Sequence, residues 1–220
     1  MSADGVTTKA DGRIEARGLL LQRPRPEVAQ RLVDATIEVI DARGETAVRV
    51  QEIVATVGTQ IPVLYRHFGN REGLVQAAQA DRLQDAIATD LAFVSTRFAE
   101  VGSADEFRTV LDEVLAFASD PARGDVRARR VNMLGSTYAR PALAATVNEI
   151  MVRSLDGIAE VFAGPQRQGW IRADLDVRAF AAWFAGQMIG RSLIELGETG
   201  IDGAAWNEVS ADAVRHILFG

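Results

Sequence analysis

Side chains that can bind a nucleic acid are concentrated in a short stretch of this sequence, between residues 49 and 71. The polar members with the clearest chemistry are Gln51, Gln60, Tyr65, Arg66 and His67. Gln and Arg can form paired hydrogen bonds with adenine or guanine edges, and apolar side chains such as Ile61 and Val63 can contact thymine methyl groups. Phenol and imidazole groups can bind phosphate oxygens, which fixes position rather than sequence. The stretch therefore has the chemistry of duplex recognition, provided that its helices point these side chains outward.

The residues around this stretch predict a helix-turn-helix. A first short helix is indicated by apolar residues at helical spacing, Val50, Ile53, Val54 and Val57. Gly58 ends it, and Pro62 opens a second helix of about two turns that Gly69 ends. Leu64 and Phe68, four positions apart, would pack the second helix down. Its opposite face is left for the major groove, as in helix-turn-helix proteins.

The rest of the chain is predicted to be helical as well. Apolar residues recur every three or four positions from Pro26 onward, without a run of alternating β-branched residues. The remaining predicted helices run from Pro26 to Gly44, Arg71 to about Val101, Ser103 to Asp120, Leu143 to Gly164-Pro165, Asp176 to Leu196 and Ala204 to Leu218. The pattern defines no helix between residues 121 and 139. The fold class is all-α.

These elements predict three parts. Residues 1–25 form a disordered N-terminal tail, and residues 26–73 form a three-helix helix-turn-helix domain. A long helix joins it to a helical ligand-binding and dimerisation domain over residues 74–220. Four tail arginines could follow a minor groove, or the tail could be a solvated leader: Arg13, Arg17, Arg23 and Arg25.

The net negative charge of the chain is compatible with DNA binding only because of where the acidic residues lie in the sequence. The chain of 220 residues has a net charge of −6, but residues 1–73 hold ten basic and ten acidic side chains, so the acidic excess lies in residues 74–220. The absence of cysteine excludes disulfides, thiolate metal sites and a cysteine nucleophile. The longest apolar window, Ala179 to Gly190, is shorter than a membrane span. We expect a cytoplasmic protein that does not contact a membrane.

The second short helix resembles the corresponding helix of the tetracycline-repressor (TetR) family, which typically reads Pro-x-Leu-Tyr-x-His-Phe. Here the run is Pro62, Val63, Leu64, Tyr65, Arg66, His67, Phe68, followed by Gly69, Asn70, Arg71, Glu72, Gly73 and Leu74. The resemblance covers Arg31 to Leu74, and beyond it only the helical layout and the length are similar. It implies a homodimer that binds double-stranded DNA and is paired through its two C-terminal helices.

The resemblance also assigns roles to single residues. Phosphate contacts are expected from Tyr65, His67 and Arg71. Base contacts are expected from Gln51, Ile61, Val63 and Arg66. Arg49, Gln60 and Pro62 complete the candidate DNA-binding set; Arg49 stands where the family often has Thr or Ser as the N-cap of the first short helix.

A ligand cavity and a dimer seam are the remaining candidate sites. The candidate ligand-binding residues are Phe93, Phe117, Met133, Tyr138, Trp183 and Gln187, because ligand cavities are mostly apolar with a few polar groups. Each could instead be plain core. Ala182, Gly186 and Gly190 form a stripe of small residues that would let a partner helix approach closely, or would pack within one subunit.

Enzyme templates are missing from the sequence. It has no Gly-x-Ser-x-Gly, no His-Glu-x-x-His and no Gly-rich phosphate loop, and its two histidines are His67 and His216. We expect no enzyme activity, no cofactor and no metal, although an enzyme that uses only carboxylates stays open. The predicted function is a ligand-responsive transcriptional repressor on a palindromic operator, released by a small apolar or aromatic effector. The alternative is a helical protein-interaction module that does not bind DNA.

Overall fold

The computed structural model describes residues 25–195, 197 and 200–220, and within them it is built from α-helices without a strand. The predicted all-α class is confirmed. Nine α-helices lie in the described part: α1 Glu27–Arg43, α2 Val50–Val57, α3 Ile61–Phe68, α4 Arg71–Ala99, α5 Ala104–Ser119, α6 Gly124–Ser136, α7 Pro141–Arg167, α8 Val177–Glu195 and α9 Gly203–Phe219. Short 3₁₀ turns cover Glu45–Ala47 and Pro121–Arg123. None of the helices in these ranges is apolar and long enough to cross a bilayer.

Helices α1 to α3 close around one small core together with the first turns of α4. Leu32, Ile53, Leu64 and Leu74 come from the four helices in turn, and all are essentially inaccessible to solvent. The turn between α2 and α3 depends on Gly58, whose φ of 72° and ψ of 39° are left-handed and disfavour residues with a β-carbon. This core fixes the tilt of α3 relative to α2.

Helix α4 links this head to the remaining helices. Its 29 residues correspond to roughly 44 Å. Leu74 and Val75 at its start belong to the first core, whereas Leu83, Ile87 and Leu91 pack against α6 and α7 in a second core. A third core, rich in aromatic residues, lies among α5, α7, α8 and α9. A displacement of α4 would therefore change the packing of both the first core and the second core.

Two of the predicted helix starts are confirmed by their caps. Ser103 Oγ accepts from the Glu106 amide at 3.2 Å, and the Glu106 carboxylate accepts from the Gly102 amide at 2.8 Å. Asp176 Oδ1 accepts from the amides of Arg178 and Ala179 at 3.0 and 2.9 Å. Both helices thus begin where polar side chains satisfy free amides.

One predicted helix end is wrong. Helix α7 continues through Gly164 and Pro165 to Arg167. Proline removes only its own amide donor, and Pro165 stands so near the C-terminus that later amides still find helical partners: Gln168 N donates to Gly164 O at 3.1 Å. Burial of Pro165 against the neighbouring helices favours the extra turn.

The predicted disordered tail lies almost entirely outside the described residues, as do Arg13, Arg17 and Arg23. Arg25 is described, and its guanidinium donates to Asp81 of α4 at 2.6 Å. The limits of the three predicted parts, residues 1–25, 26–73 and 74–220, stay predictions.

Candidate nucleic-acid interface and ligand cavity

Helices α2 and α3 separate their buried and exposed faces sharply. Val50, Ile53, Val54, Val57 and Leu64 face the core, as their spacing predicts. Pro62, Tyr65 and Arg66 are exposed on α3, and Gln60 is exposed at its N-cap. Tyr65 is 45% exposed, so it is not part of the core. The opening of α3 therefore presents polar and aromatic groups to solvent.

Other members of the candidate set are less open. Ile61 and Val63 are half-buried, and Ile61 packs against the first core. His67 is half-buried, and its Nε2 atom is enclosed without a hydrogen-bond partner among the described residues. Only its Nδ1 atom could therefore donate to a phosphate. Gln51 is exposed on α2.

Two arginines of the candidate set are engaged inside the protein. Arg71 donates through Nε to the Val48 carbonyl at 3.0 Å and through Nη2 to the Glu45 carbonyl at 2.7 Å. Arg49 donates to the Thr46 carbonyl at 2.7 Å. Arg71 thus fastens the start of α4 to the turn before α2, and its Nη1 atom has no partner among the described residues and remains for a phosphate.

A cavity of about 150 Å³ lies among α4, α5, α6, α7, α8 and one residue of α9. Most of its wall is apolar, as for Leu83, Ile87, Val114, Phe162 and Phe180. The wall is formed by residues up to about 130 positions apart, so only the folded chain brings it together. Its composition is that of a small-molecule site.

Of the six candidate ligand-binding residues, Phe117 lines this cavity. Phe93 stacks on Phe117 with 4.0 Å between ring centroids, and Trp183 stacks on Phe180 of the cavity wall at 6.2 Å. These two support the wall from behind. The other three, Met133, Tyr138 and Gln187, are not among its lining residues; Met133 is in the second core, and Tyr138 is 90% exposed.

One end of the cavity is charged, which the sequence reasoning did not foresee. Asp90 of α4 accepts from Arg123 and, at 2.6 Å, from Arg130 Nη2. The Arg123 guanidinium also lies 3.9 Å from the centre of the Phe117 ring. Arg127, almost fully buried, donates to both carboxylate oxygens of Glu195. Hydrogen bonding by Arg127, against a smaller desolvation effect, lowers the pKa of Glu195.

The signal for this end was present in the sequence. Arg123, Arg127 and Arg130 are spaced four and three apart, which places them on one side of a helix. Their partners could not be read in the same way, because Asp90 and Glu195 lie on distant helices.

Polar contacts link the α1–α3 head to α6 and to the turn before α7. Asp41 of α1 is paired with Arg82 of α4, and Arg129 of α6 lies 3.8 Å from it. Arg140, just before α7, donates to Glu45 at 2.7 Å, and its Nε atom lies 3.1 Å from the Glu72 carboxylate. A cleft of about 330 Å³ lies beside the first contact and is also lined by residues of the charged cavity end. The head is thus held through α6 and the α6–α7 turn.

The pKa of Glu45 reflects this contact. Burial alone would raise it, but hydrogen bonds from Arg140 and Gln79, with the charges of Arg140 and Arg71, hold the pKa below its ordinary value. The hydrogen bond to Glu45 likewise raises the pKa of Arg140. The carboxylate is therefore stabilised in its charged form.

An apolar face is left open on α8 and α9. Ala182 and Gly186 are exposed and Gly190 is half-buried. Ile189 and Leu193 are exposed on α8 as well, and Val209 on α9 keeps 71% of its accessible area. Several exposed apolar side chains on two helices that contact one another are typical of an interface.

The architecture defines a class: an all-helical protein with an N-terminal helix-turn-helix head carried on a bundle that encloses a cavity. Comparison with known families places the head more narrowly. Residues 32–78 match the family of bacterial regulatory proteins named tetR. The matched region includes the run Pro62–Phe68, so the predicted resemblance of the helix-turn-helix to the TetR family is confirmed.

Solved structures share the fold over most of the chain. A protein from Rhodococcus sp. assigned to the TetR-family transcriptional regulators is 22% identical, with a TM-score of 0.63 over 87% of this chain and 98% of that one. Thermus thermophilus FadR, a TetR-family repressor solved with lauroyl-CoA, is 17% identical, with a TM-score of 0.62 over 86% and 92%. A protein from Saccharomonospora viridis assigned as a transcriptional regulator and solved with choline is 19% identical, with a TM-score of 0.61 over 89% and 100%. A comparison with curated proteins gives no match.

Proposed function

We propose that this chain is a ligand-responsive transcriptional repressor that binds a palindromic operator as a homodimer. The observation that carries the proposal is a set of polar side chains at α2 and α3 without partners. Within the described residues, Gln51, Gln60, Tyr65 and Arg66 form no side-chain hydrogen bond or ion pair, whereas nearby Arg43, Arg49 and Arg71 are all engaged. The four unpaired side chains therefore do not stabilise the fold through polar contacts and are available to a partner.

The arrangement suits the major groove. A helix that enters the groove by its N-terminal end contacts base edges with its first residues. Gln60 and Arg66 are placed to read bases together with Gln51, and the half-buried Ile61 and Val63 offer methyl groups near them. Tyr65 and the Nδ1 atom of His67 supply phosphate contacts, with the Nη1 atom of Arg71. Arg49 and Pro62 are exposed and complete the proposed surface.

Dimerisation follows from the geometry of the operator. Two copies must place their α3 helices about 34 to 36 Å apart to enter successive major grooves. The apolar face of α8 and α9 defined above is the surface proposed to pair them, with Ala182, Gly186 and Gly190 at its centre. A two-fold axis through this face gives the palindrome in the DNA.

Regulation requires that the cavity and the reading helices are coupled. Helix α6 contributes Arg127 and Arg130 to the cavity and Arg129 to the contact with Asp41 of the head. A ligand that prefers a different position of α6 therefore prefers a different position of the head. By linkage, a ligand that weakens DNA binding is itself bound more weakly by the DNA complex, by the same factor. The ligand complexes of similar folds, with lauroyl-CoA and with choline, support a ligand site in such bundles.

The experiment is a selection of DNA from a random 30-base-pair pool by the purified protein, followed by anisotropy titrations at several salt concentrations. The proposal expects enrichment of a near-palindrome and an affinity that falls steeply with salt, because bound phosphates release counterions. A matched control is the Arg153→Ala variant, which removes an exposed arginine of α7 outside the reading surface. No binding to any duplex at low salt would abandon the proposal in favour of a protein-interaction module.

A further inference from the structure

We propose that the cavity binds a monocarboxylate whose apolar part is about the size of one aromatic ring, with its carboxylate at Arg123 and Arg130. This inference names the effector class for the proposed function and rests on that function for its regulatory consequence. The binding itself depends only on the cavity.

The size of the cavity sets the apolar part. An apolar cavity of about 150 Å³ lined by Leu, Ile and Phe accepts benzene. The cavity in this protein has a volume of about 150 Å³ and a wall made largely of the same residue types. Phe117 and Phe162 add aromatic rings to this wall. A ring, or an alkyl chain of similar volume, fills the space.

The charge at one end sets the polar group. Arg123 and Arg130 carry two positive charges, and Asp90, which bridges them, carries one negative charge. One positive charge is left over. Arg127 adds none at the cavity wall, because its guanidinium is paired with Glu195 and also donates to the carbonyls of Ala118 and Asp120. Arg191 lies 3.8 Å from the same Glu195 carboxylate but does not line the cavity. A single anionic group neutralises this end.

A free donor points to an oxygen ligand. The Nε atom of Arg130 is enclosed and has no hydrogen-bond partner among the described residues, although Nη2 donates to Ala86 O and to Asp90. A buried donor without an acceptor is unfavourable, so a ligand oxygen that accepts from it is bound more tightly. A carboxylate meets guanidinium geometry with two oxygens. A cationic ligand would instead meet an excess of positive charge.

A carboxylate bound at the charged end of the cavity would affect the contact between α6 and the head. Asp90, Arg123 and Arg130 line both the cavity and the cleft beside the Asp41 contact. A carboxylate on Arg123 and Arg130 competes with Asp90 for the same guanidinium groups. The charge balance next to Asp41, Arg82 and Arg129 then changes on binding.

The test is isothermal calorimetry on the full-length protein without DNA. The probes are benzoate, phenylacetate and hexanoate, each against its neutral amide, and benzylammonium as the cation. We expect at least one carboxylate to bind at least tenfold more tightly than its own amide, and no binding of benzylammonium. If every amide binds as well as its carboxylate, or if none of the three carboxylates binds, the inference is overturned.

Two variants separate a ligand contact from a structural role. Arg130→Met removes the free donor and one charge, and should lower carboxylate affinity at least tenfold while amide affinity changes little. Asp90→Asn raises the net charge of the site and should increase carboxylate affinity. Arg153→Met is the matched control and should change neither. Equal losses for carboxylate and amide in Arg130→Met, or no gain in Asp90→Asn, would contradict the proposal; each variant is read alone should the other not fold.

The calorimetry also separates this inference from the proposed function. If carboxylates bind but the protein binds no DNA, the ligand assigned to the cavity is kept and the proposed regulatory function is wrong. If the protein binds DNA but no carboxylate binds the cavity or changes DNA affinity, the proposed regulator function is kept and the proposed effector class is wrong.

Discussion

Arg140 donates through Nη2 to Oε1 of Glu45 at 2.7 Å, although 95 positions separate the two residues in the sequence. Glu45 lies in the turn that leads to α2, and Arg140 lies in the turn that leads to α7. The same guanidinium reaches Glu72 at 3.1 Å. One side chain of the C-terminal part thus holds both the turn before the helix-turn-helix and the first turn of α4.

This contact should stabilise the fold measurably. Both side chains are less than one-third exposed, so we expect Glu45→Gln or Arg140→Gln to lower the free energy of unfolding by about 1 to 2 kcal/mol. The double variant should lose less than the sum of the two, because the partners act on one another. Urea denaturation of the four proteins measures the coupling.

The exposed pair Glu160 and Arg167, 3.9 Å apart on α7, is the matched control. Exposed pairs of this kind contribute little, so their cycle should show no measurable coupling. Additive losses for Glu45 and Arg140 would mean that the 2.7 Å contact does not contribute to stability.

The pKa of Glu45 makes this stabilisation depend on pH. Its folded pKa lies below the value of about 4.3 usual for an unfolded chain. The stabilisation is therefore complete above that value and is lost as the pH falls through the lower folded pKa. The difference in unfolding free energy between the wild type and Glu45→Gln should be constant from pH 7 to 5 and should shrink below about pH 4.3. A difference that stays constant to pH 3.5 would contradict the assignment.

The sequence predicted the head well because its information is local. Gly58, Pro62 and Gly69 mark the limits of α2 and α3, and the spacing of Val50, Ile53, Val54 and Val57 marks the buried side. Each signal acts within a few residues of itself. Once the buried side of α3 was predicted, the opposite side could be predicted to be exposed.

The ion pairs at the charged end of the cavity could not be predicted in this way. Arg127 becomes a buried residue only because Glu195, 68 positions away, accepts its hydrogen bonds. Arg71 raises the same difficulty, because a carbonyl is not visible in a side-chain pattern. Tyr138 shows the converse: an aromatic residue was expected in the ligand site, and it lies in the turn after α6, almost fully exposed.

Tyr65 and Arg66 are adjacent on α3, and the proposal gives them different tasks. Tyr65→Phe removes a hydroxyl that binds phosphate, so affinity should fall by a similar factor for the selected operator and for unrelated duplexes. Arg66→Ala should cost about 1 to 3 kcal/mol on the operator and relax the base preference at one position per half-site. Anisotropy titrations on the operator and on single-base variants measure both. A changed base preference in Tyr65→Phe, with unchanged affinity for unrelated DNA, would reverse the two roles.

Gly186 on the open face of α8 gives the most direct test of the dimer. A β-carbon added at Gly186 meets no atom within 4 Å in the single chain, and the same is true at Gly135 on α6. Leucine at either position should therefore leave the monomer folded, and should even favour the helix by up to about 1 kcal/mol, because glycine is a poor helix former. Only at Gly186 would the new side chain fill the space that a partner helix needs. Sedimentation velocity should thus show a dimer for the wild type and for Gly135→Leu, and a monomer for Gly186→Leu with unchanged helical content. Since both half-sites must be bound together, Gly186→Leu should also lose operator affinity at least tenfold. A dimer that survives Gly186→Leu would move the subunit contact to another surface and with it the spacing of the two α3 helices.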